Sequence, residues 1–161
     1  MCIRDSVLTI EETRELRCTV ANHVALRTTE TIDMTRLVRA ALRLRPDRII
    51  VGEVRGAEAL AMLKAWNTGH PGGIATVHAN DARSGLIRLE QLVQEANVPP
   101  QPALIAEAVD LIVVILRTPT GRKITEVARV QGASSSGYVL DYVEPALSES
   151  SPRLHRHLVA V

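Results

Sequence analysis

Two apolar runs of the chain each end in a side chain that could take part in catalysis. Residues 47–51 lead into Gly52 and Glu53, and residues 74–77 lead into His78. The β-branched residues in both runs predict short buried strands. Because ligands bind at the carboxyl ends of strands in open parallel sheets, we expect Glu53 and His78 to lie at one binding edge.

The carboxylate of Glu53 has the position that a nucleotide site requires. An apolar strand that ends in an acid is the Walker B pattern, in which a fixed carboxylate holds a Mg²⁺ ion through its water ligands, beside the nucleotide phosphates. The pattern is only weakly specific when it occurs alone, so the residues around it decide its meaning.

The other polar groups in this part of the chain have structural interpretations as well. The acidic run 11–15 follows a predicted strand at residues 7–10, and charge runs in such places are usually solvated surface. His70 and His78 flank a Gly-rich turn and a strand, with a spacing that is not typical of metal ligands. Trp66 fits the apolar face of a predicted helix, which favours a core position over a platform for stacking bases.

Together, however, these motifs resemble one family. The segments RPDRIIVGEVRGAEAL (45–60) and AWNTGHPGGIATVHANDA (65–82) follow the acidic run in order. An acidic box, a Walker B motif and a His box in this order are similar to the type II/type IV secretion ATPase superfamily, and most similar to conjugative-transfer ATPases of the TrbB kind. The resemblance covers residues 7–116 and implies an α/β fold with a three-layer RecA-like P-loop NTPase core, here incomplete.

The resemblance also implies roles for individual residues. Glu11 or Glu12 would be the general base, Glu12 and Glu53 would place Mg²⁺ through water, and His70 and His78 would sense the γ-phosphate of ATP. Glu12 stands where the family more often has Asp, which keeps the charge but affects the metal geometry. The candidates for catalysis are Glu11, Glu12, Glu53 and His78, and those for nucleotide contact are Arg14, Arg27, Arg55, His70 and Gly52.

Cofactors and partners follow from the same resemblance. It implies ATP and Mg²⁺ as cofactors, a hexameric ring of identical subunits, and a cytoplasmic position peripheral to the inner membrane, through secretion or mating-pair proteins. A type II secretion or pilus-retraction ATPase, and a non-catalytic module that binds ring partners, remain alternatives. A net charge of +1 and an aromatic content of 2% argue against direct nucleic-acid binding.

Composition bounds the remaining possibilities. A chain of 161 residues with 46% hydrophobic content suits one globular domain. Cys2 and Cys18 are too few for a disulfide framework or a zinc site, which suggests a reducing compartment. The apolar run 111–116 is far shorter than a membrane span, and it is apolar on both faces, which predicts a central strand covered on two sides.

The predicted organisation has four parts. Residues 1–6 are interpreted as a possibly non-native start, 7–118 as the partial ATPase domain, 119–145 as a β-hairpin, and 146–161 as a disordered tail in which two histidines are a weak metal candidate. The phosphate-binding pattern G-x-x-x-x-G-K-[ST] does not occur in this sequence. We therefore expect a C-terminal part of a longer ATPase that shows no ATP turnover alone.

Overall fold

A computed structural model describes residues 5–143 and the strand at 156–160. The strands and helices alternate in the first part of the chain, and strands predominate in the last part. In chain order the elements are β1 (Val7–Glu11), β2 (His23–Arg27), α1 (Met34–Leu44), β3 (Arg48–Val51), α2 (Glu58–Asn67), β4 (Ile74–His78), α3 (Ala82–Gln94), α4 (Pro102–Ala108), β5 (Leu111–Thr118), β6 (Gly121–Ser134), β7 (Gly137–Tyr142) and β8 (Arg156–Ala160).

The described strands form one 8-stranded sheet in the order β2-β1-β3-β4-β8-β5-β6-β7. Strands β2, β1, β3 and β4 are parallel, and β8 is antiparallel to both β4 and β5. It follows that β4 and β5 run in the same direction. The α/β prediction is therefore confirmed, with a parallel sheet that continues into an antiparallel β5-β6-β7 meander.

The four helices in the described part of the chain lie on one face of the sheet, because α2 contacts each of the other three. The crossovers β2-α1-β3 and β3-α2-β4 advance in the same direction along the sheet, and right-handed connections then place both helices on the same side. Alternate strand residues, such as Ile49, Val51 and Val77, face these helices and join one apolar core. None of the helices in the described residues combines the length and apolarity needed to span a membrane.

Side-chain caps mark the start of two of the described helices. The Asp33 side chain accepts a hydrogen bond from the Arg36 N–H at the start of α1, and Asp81 forms a capping box with Ser84 at the start of α3. Caps of this kind contribute about 1 kcal/mol each. Trp66 on α2 is buried in the core, and its indole N–H donates to the carbonyl of Ile49, as its structural interpretation predicts.

The segment 12–22 joins two adjacent parallel strands, β1 and β2, without a helix. This connection runs opposite to the other crossovers, so the right-handed rule places it on the face of the sheet that the helices leave open. Its position explains why all of β1, including Thr9 and Glu11 on that face, is buried. The carboxylate of Glu11 is thereby enclosed at the end of its strand.

Two predictions about the C-terminal part need correction. Residues 156–160 were expected to be disordered, yet they form β8 between β4 and β5, because both strands have an open edge there and the run Leu-Val-Ala can pair with them. Strand β5 was expected to be covered on both faces, but only Ile112, Val114 and Leu116 are buried. The opposite face of β5 is half-buried because no described helix covers it.

The predicted C-terminal hairpin is present as β6 and β7. Strand β6 also pairs with β5, so the hairpin continues the main sheet instead of forming a separate unit. Tyr138 on β7 is 5% exposed and joins the common core. The predicted domain boundaries remain predictions, and the predictions for residues 1–4, 144–155 and 161 lie outside the described residues.

Candidate functional site

A pocket of about 330 Å³ lies at the carboxyl edge of the parallel strands. Strands β1, β3 and β4 end there, as the sequence predicts for a site at the carboxyl ends of parallel strands. The volume is within the range of small-ligand sites. Six of the residues selected from the sequence line this pocket: Glu11, Glu12, Gly52, Glu53, Arg55 and His78.

The Glu53 carboxylate is paired with a basic group on each side. Its Oε1 lies 3.0 Å from Nε2 of His78, and its Oε2 accepts a hydrogen bond of 2.6 Å from Nη2 of Arg55. The Glu53 side chain is 24% exposed, so it remains accessible from the pocket. Strand β4 thus delivers an imidazole directly onto the carboxylate that follows β3.

Arg55 links the two carboxylates that are candidates for metal binding. Its Nη1 donates to Oε2 of Glu12 at 3.1 Å, while its Nη2 is held by Glu53. The hydrogen bond to Glu53 is the main reason why the pKa of the Arg55 guanidinium is raised, and the charge of Glu53 adds to it. Arg55 and Glu12 are both largely exposed, so this bridge can be exchanged for other partners.

Glu11 is held in a different way. Its Oε1 accepts hydrogen bonds from the backbone N–H groups of Glu15 and Leu16, at 2.9 and 2.7 Å, and the residue is only 4% exposed. Gly52 passes directly beside it, because a Cβ added to Gly52 would lie 3.2 Å from Cγ of Glu11. The absence of a side chain at Gly52 therefore gives Glu11 its room.

The residues around the pocket fit a Mg²⁺ ion held mainly through water. Glu12 and Glu53 supply carboxylate oxygens, and the described residues contain no cluster of three or more His, Cys, Asp or Glu side chains that could hold a metal directly. Mg²⁺ typically keeps several waters and takes one or two carboxylates together with phosphate oxygens. The donor set therefore suits an ion that arrives with a nucleotide.

His70 lies at the opposite edge of the sheet and does not line this pocket. It precedes β4, whereas His78 ends it, and its Nδ1 is 2.6 Å from the carbonyl oxygen of Pro46. A second pocket, of about 490 Å³, contains His70 together with Asp47 and Arg48. The expectation that both histidines face the same phosphate is corrected, because the length of β4 separates them.

Arg14 and Arg27 also lie outside the pocket wall. Arg27 ends edge strand β2 opposite Glu11, and its side chain is exposed, while Arg14 is exposed in the connection that follows β1. Their predicted contact with nucleotide is therefore not provided by the pocket geometry of this chain.

Thr76 and Arg122 are two of the pocket residues that were not selected from the sequence. Thr76 donates a hydrogen bond of 2.6 Å to the carbonyl of Gly52, and its position two residues before His78 could have indicated a shared face of β4. Arg122 comes from β6, far along the chain, and no local pattern indicates that it reaches the site.

Comparison with known proteins gives one consistent result. Residues 3–138 match the family model described as type II/IV secretion system protein. A probable conjugal transfer protein TrbB of Sinorhizobium fredii is 51% identical over 137 residues, which are 85% of this chain and 42% of that protein. The type IV secretion system protein PtlH of Bordetella pertussis is 41% identical over 128 residues, 71% of this chain and 38% of that protein.

Solved structures agree with these relatives. The VirB11 ATPase from the Brucella suis type IV secretion system, in complex with sulphate, superposes with a TM-score of 0.73 at 29% identity, over 80% of this chain and 41% of that chain. The Legionella pneumophila ATPase DotB superposes with a TM-score of 0.56 at 27% identity, over 74% of this chain and 35% of that one. The chain thus spans less than half the length of the relatives it matches.

Proposed function

Because this chain belongs to the type II/IV secretion system protein family, we propose that it forms the catalytic edge of an ATPase that powers conjugative transfer or type IV secretion. The observation that carries the proposal is that Glu11, Glu53 and His78, which follow or end three separate strands, line one pocket. Charged side chains that only formed a solvated surface would not be expected to meet in one pocket. The conjugal-transfer and type IV secretion names of the reported relatives favour these machines over type II secretion.

In the proposed reaction, water attacks the γ-phosphorus of ATP, and the bond to the β-γ bridging oxygen breaks. Glu11 is the better placed base, because its backbone hydrogen bonds fix it and a general base needs a fixed position. Glu12 is exposed and bound to Arg55, so it is better suited to the outer ligands of the metal. Mg²⁺ would be held by Glu53 and Glu12 through water, and when bound it would offset charge on the phosphates.

His78 would report the state of the nucleotide. Its Nε2 lies 3.0 Å from the Glu53 carboxylate, and its side chain lines the pocket and is 60% exposed. A phosphate oxygen that enters the pocket would compete with Glu53 for this ring. The exchange of partners would pass from the site into β4, whose other face packs against the helices.

The proposal extends to assembly and location. A homo-oligomeric ring, with six copies, would act at the cytoplasmic side of the inner membrane with secretion or mating-pair proteins. The relatives PtlH and VirB11 are proteins of type IV secretion systems, which supports such an arrangement for a protein that contains this chain.

A chimera tests the activity. The matched segment of the Sinorhizobium fredii TrbB protein is replaced by the corresponding residues of this chain, and Mg²⁺-dependent phosphate release is measured. We expect turnover in the chimera, its loss in the Glu53→Gln variant, and none in the 161-residue chain alone. A folded chimera without turnover, or one that retains it with Gln at position 53, would refute the proposal.

A further inference from the structure

The carboxylate of Glu53 is attached to backbone that lies beyond the regular sheet. Strand β3 ends at Val51, and its pairing with β4 ends where Val51 lies opposite Ala75. Glu53 is two residues further on, where no strand ladder holds it. A carboxylate on irregular backbone needs other contacts to keep it in one position.

Thr76 supplies these contacts on both sides of Glu53. Its hydroxyl donates a hydrogen bond of 2.6 Å to the carbonyl oxygen of Gly52, and its own carbonyl accepts one of 2.9 Å from the N–H of Val54. The N–H of Gly52 also donates to the carbonyl of Ile10 on β1, at 2.9 Å. One residue of β4 therefore binds the peptide groups immediately before and after Glu53.

The same face of β4 also meets the Glu53 side chain. Thr76 and His78 are two residues apart on the strand, so both side chains point away from the core, into which Ala75 and Val77 project. Thr76 is half-buried in the pocket wall, and His78 lies 3.0 Å from the carboxylate. Strand β4 thus fixes Glu53 through its backbone at Thr76 and through its carboxylate at His78.

We propose that Thr76 is a positioning residue, whose hydroxyl fixes the backbone of Glu53 and thereby directs its carboxylate toward His78. The proposal deepens the proposed function, because an ATPase needs this carboxylate beside the metal. The proposal depends on one group of Thr76, its hydroxyl. A Val side chain has the same shape and favours strands, but it leaves the carbonyl of Gly52 without this donor.

Hydrogen exchange by NMR on the full chain tests the proposal, with Thr76→Val and Thr76→Ser as a matched pair. In Thr76→Val the Val54 N–H keeps its bond to the carbonyl of residue 76, but local opening no longer has to break the hydroxyl bond to Gly52. We therefore expect the Val54 amide to exchange about fivefold faster, the factor for a bond of about 1 kcal/mol. The cross-peak between the Glu53 side chain and the His78 ring should weaken in the same variant. Thr76→Ser keeps the donor and should restore both signals.

The amide of Leu89 in α3 is the internal reference, because this residue is buried far along the chain from the site. Its exchange should be the same in all three proteins, which separates a local effect from general loss of stability. An unchanged Val54 amide in Thr76→Val, or a Thr76→Ser variant that behaves like Thr76→Val, would overturn the proposal. These measurements use no nucleotide, so their outcome is independent of whether the chimera hydrolyses ATP.

Discussion

The two ends of strand β4 carry a histidine each, and their surroundings differ in kind. At the carboxyl end, His78 faces the carboxylate of Glu53, which is also bound to exposed Arg55. At the amino end, His70 is bound to the main-chain oxygen of Pro46. The first contact joins two side chains that line the pocket, whereas the second joins an imidazole to the main chain.

The edge of the sheet at which the parallel strands begin, called the amino edge below, is also held by contacts within the chain. Asp47 accepts hydrogen bonds from the N–H and the hydroxyl of Ser6, both at 2.7 Å. Arg48 is paired with Asp5 at 3.1 Å, and its guanidinium occupies the space that a Cβ on Gly72 would require. Similar residue types therefore line the candidate site at one edge of the sheet and make internal contacts at the other edge.

The largest expected effect is at Glu53. In the chimera, Glu53→Gln should lower turnover by about 1,000-fold, because it removes the charge that places Mg²⁺. The matched control is Asp47→Asn, a carboxylate change at the amino edge, which should leave turnover within about twofold of the parent value. Equal losses of turnover in the two variants would contradict a functional difference between the two edges of the sheet.

The two histidines give the next comparison. His78→Leu should lower turnover of the chimera by about 100-fold, as for the loss of one donor to a reacting phosphate. His70→Leu should leave turnover unchanged but lower the free energy of unfolding by about 1 kcal/mol, because the carbonyl of Pro46 loses its partner. Kinetics and urea unfolding of both variants separate the cases, and a reversed pattern would show that the assignment of the two histidines is wrong.

A smaller effect is expected from Arg55, whose guanidinium occupies both candidate metal carboxylates. In the full chain, Arg55→Gln should bind Mn²⁺ about threefold more tightly, because exposed ion pairs of this kind are weak competitors. Arg48→Gln is the control at the amino edge. Paramagnetic relaxation of water measures both affinities, and weaker binding in Arg55→Gln would mean that Arg55 assists the metal instead of competing with it.

The smallest effect concerns pH. The backbone and side-chain hydrogen bonds from Ser6 lower the pKa of the Asp47 carboxyl, so the folded state favours its ionised form. This stabilisation is present above the pKa of the unfolded chain, about 4, and is lost as the pH falls through the lower pKa of the folded state. Asp47→Asn should therefore be less stable than the parent chain at pH 7, with a difference that shrinks below about pH 4.

Thermal unfolding of the two proteins across this pH range is the measurement. A difference in thermal stability between the parent chain and Asp47→Asn that stays constant down to pH 2 would contradict a role for the Ser6 contacts.

Local patterns predicted the elements of this edge well. The runs before Gly52 and His78 form β3 and β4, and Trp66 is buried on the predicted helix, α2. Such features depend on residues that are close in sequence, which is why periodicity detects them. The convergence of the three polar strand ends followed from the parallel arrangement, which the resemblance implied.

Long-range features were not predictable in the same way. His70 precedes β4 and His78 ends it, so the two residues lie at opposite ends of the strand. The His-box motif groups both histidines together and does not show this separation. Strand β8 pairs with β4 and β5, which lie far from it along the chain, so its short apolar run gave no local indication of a partner. The hydrogen bond from Thr76 to Gly52 likewise needs the register between β3 and β4.

Localised binding of a metal nucleotide tests the central claim most directly. Mn²⁺ and ATP are added to the isotopically labelled chain, and the broadening of each backbone amide signal is recorded by NMR. The account predicts selective broadening at Gly52, Glu53 and His78, with the signals of Asp47 and His70 unaffected until much higher concentrations. Broadening centred on Asp47 and His70, or equal at both edges of the sheet, would contradict it.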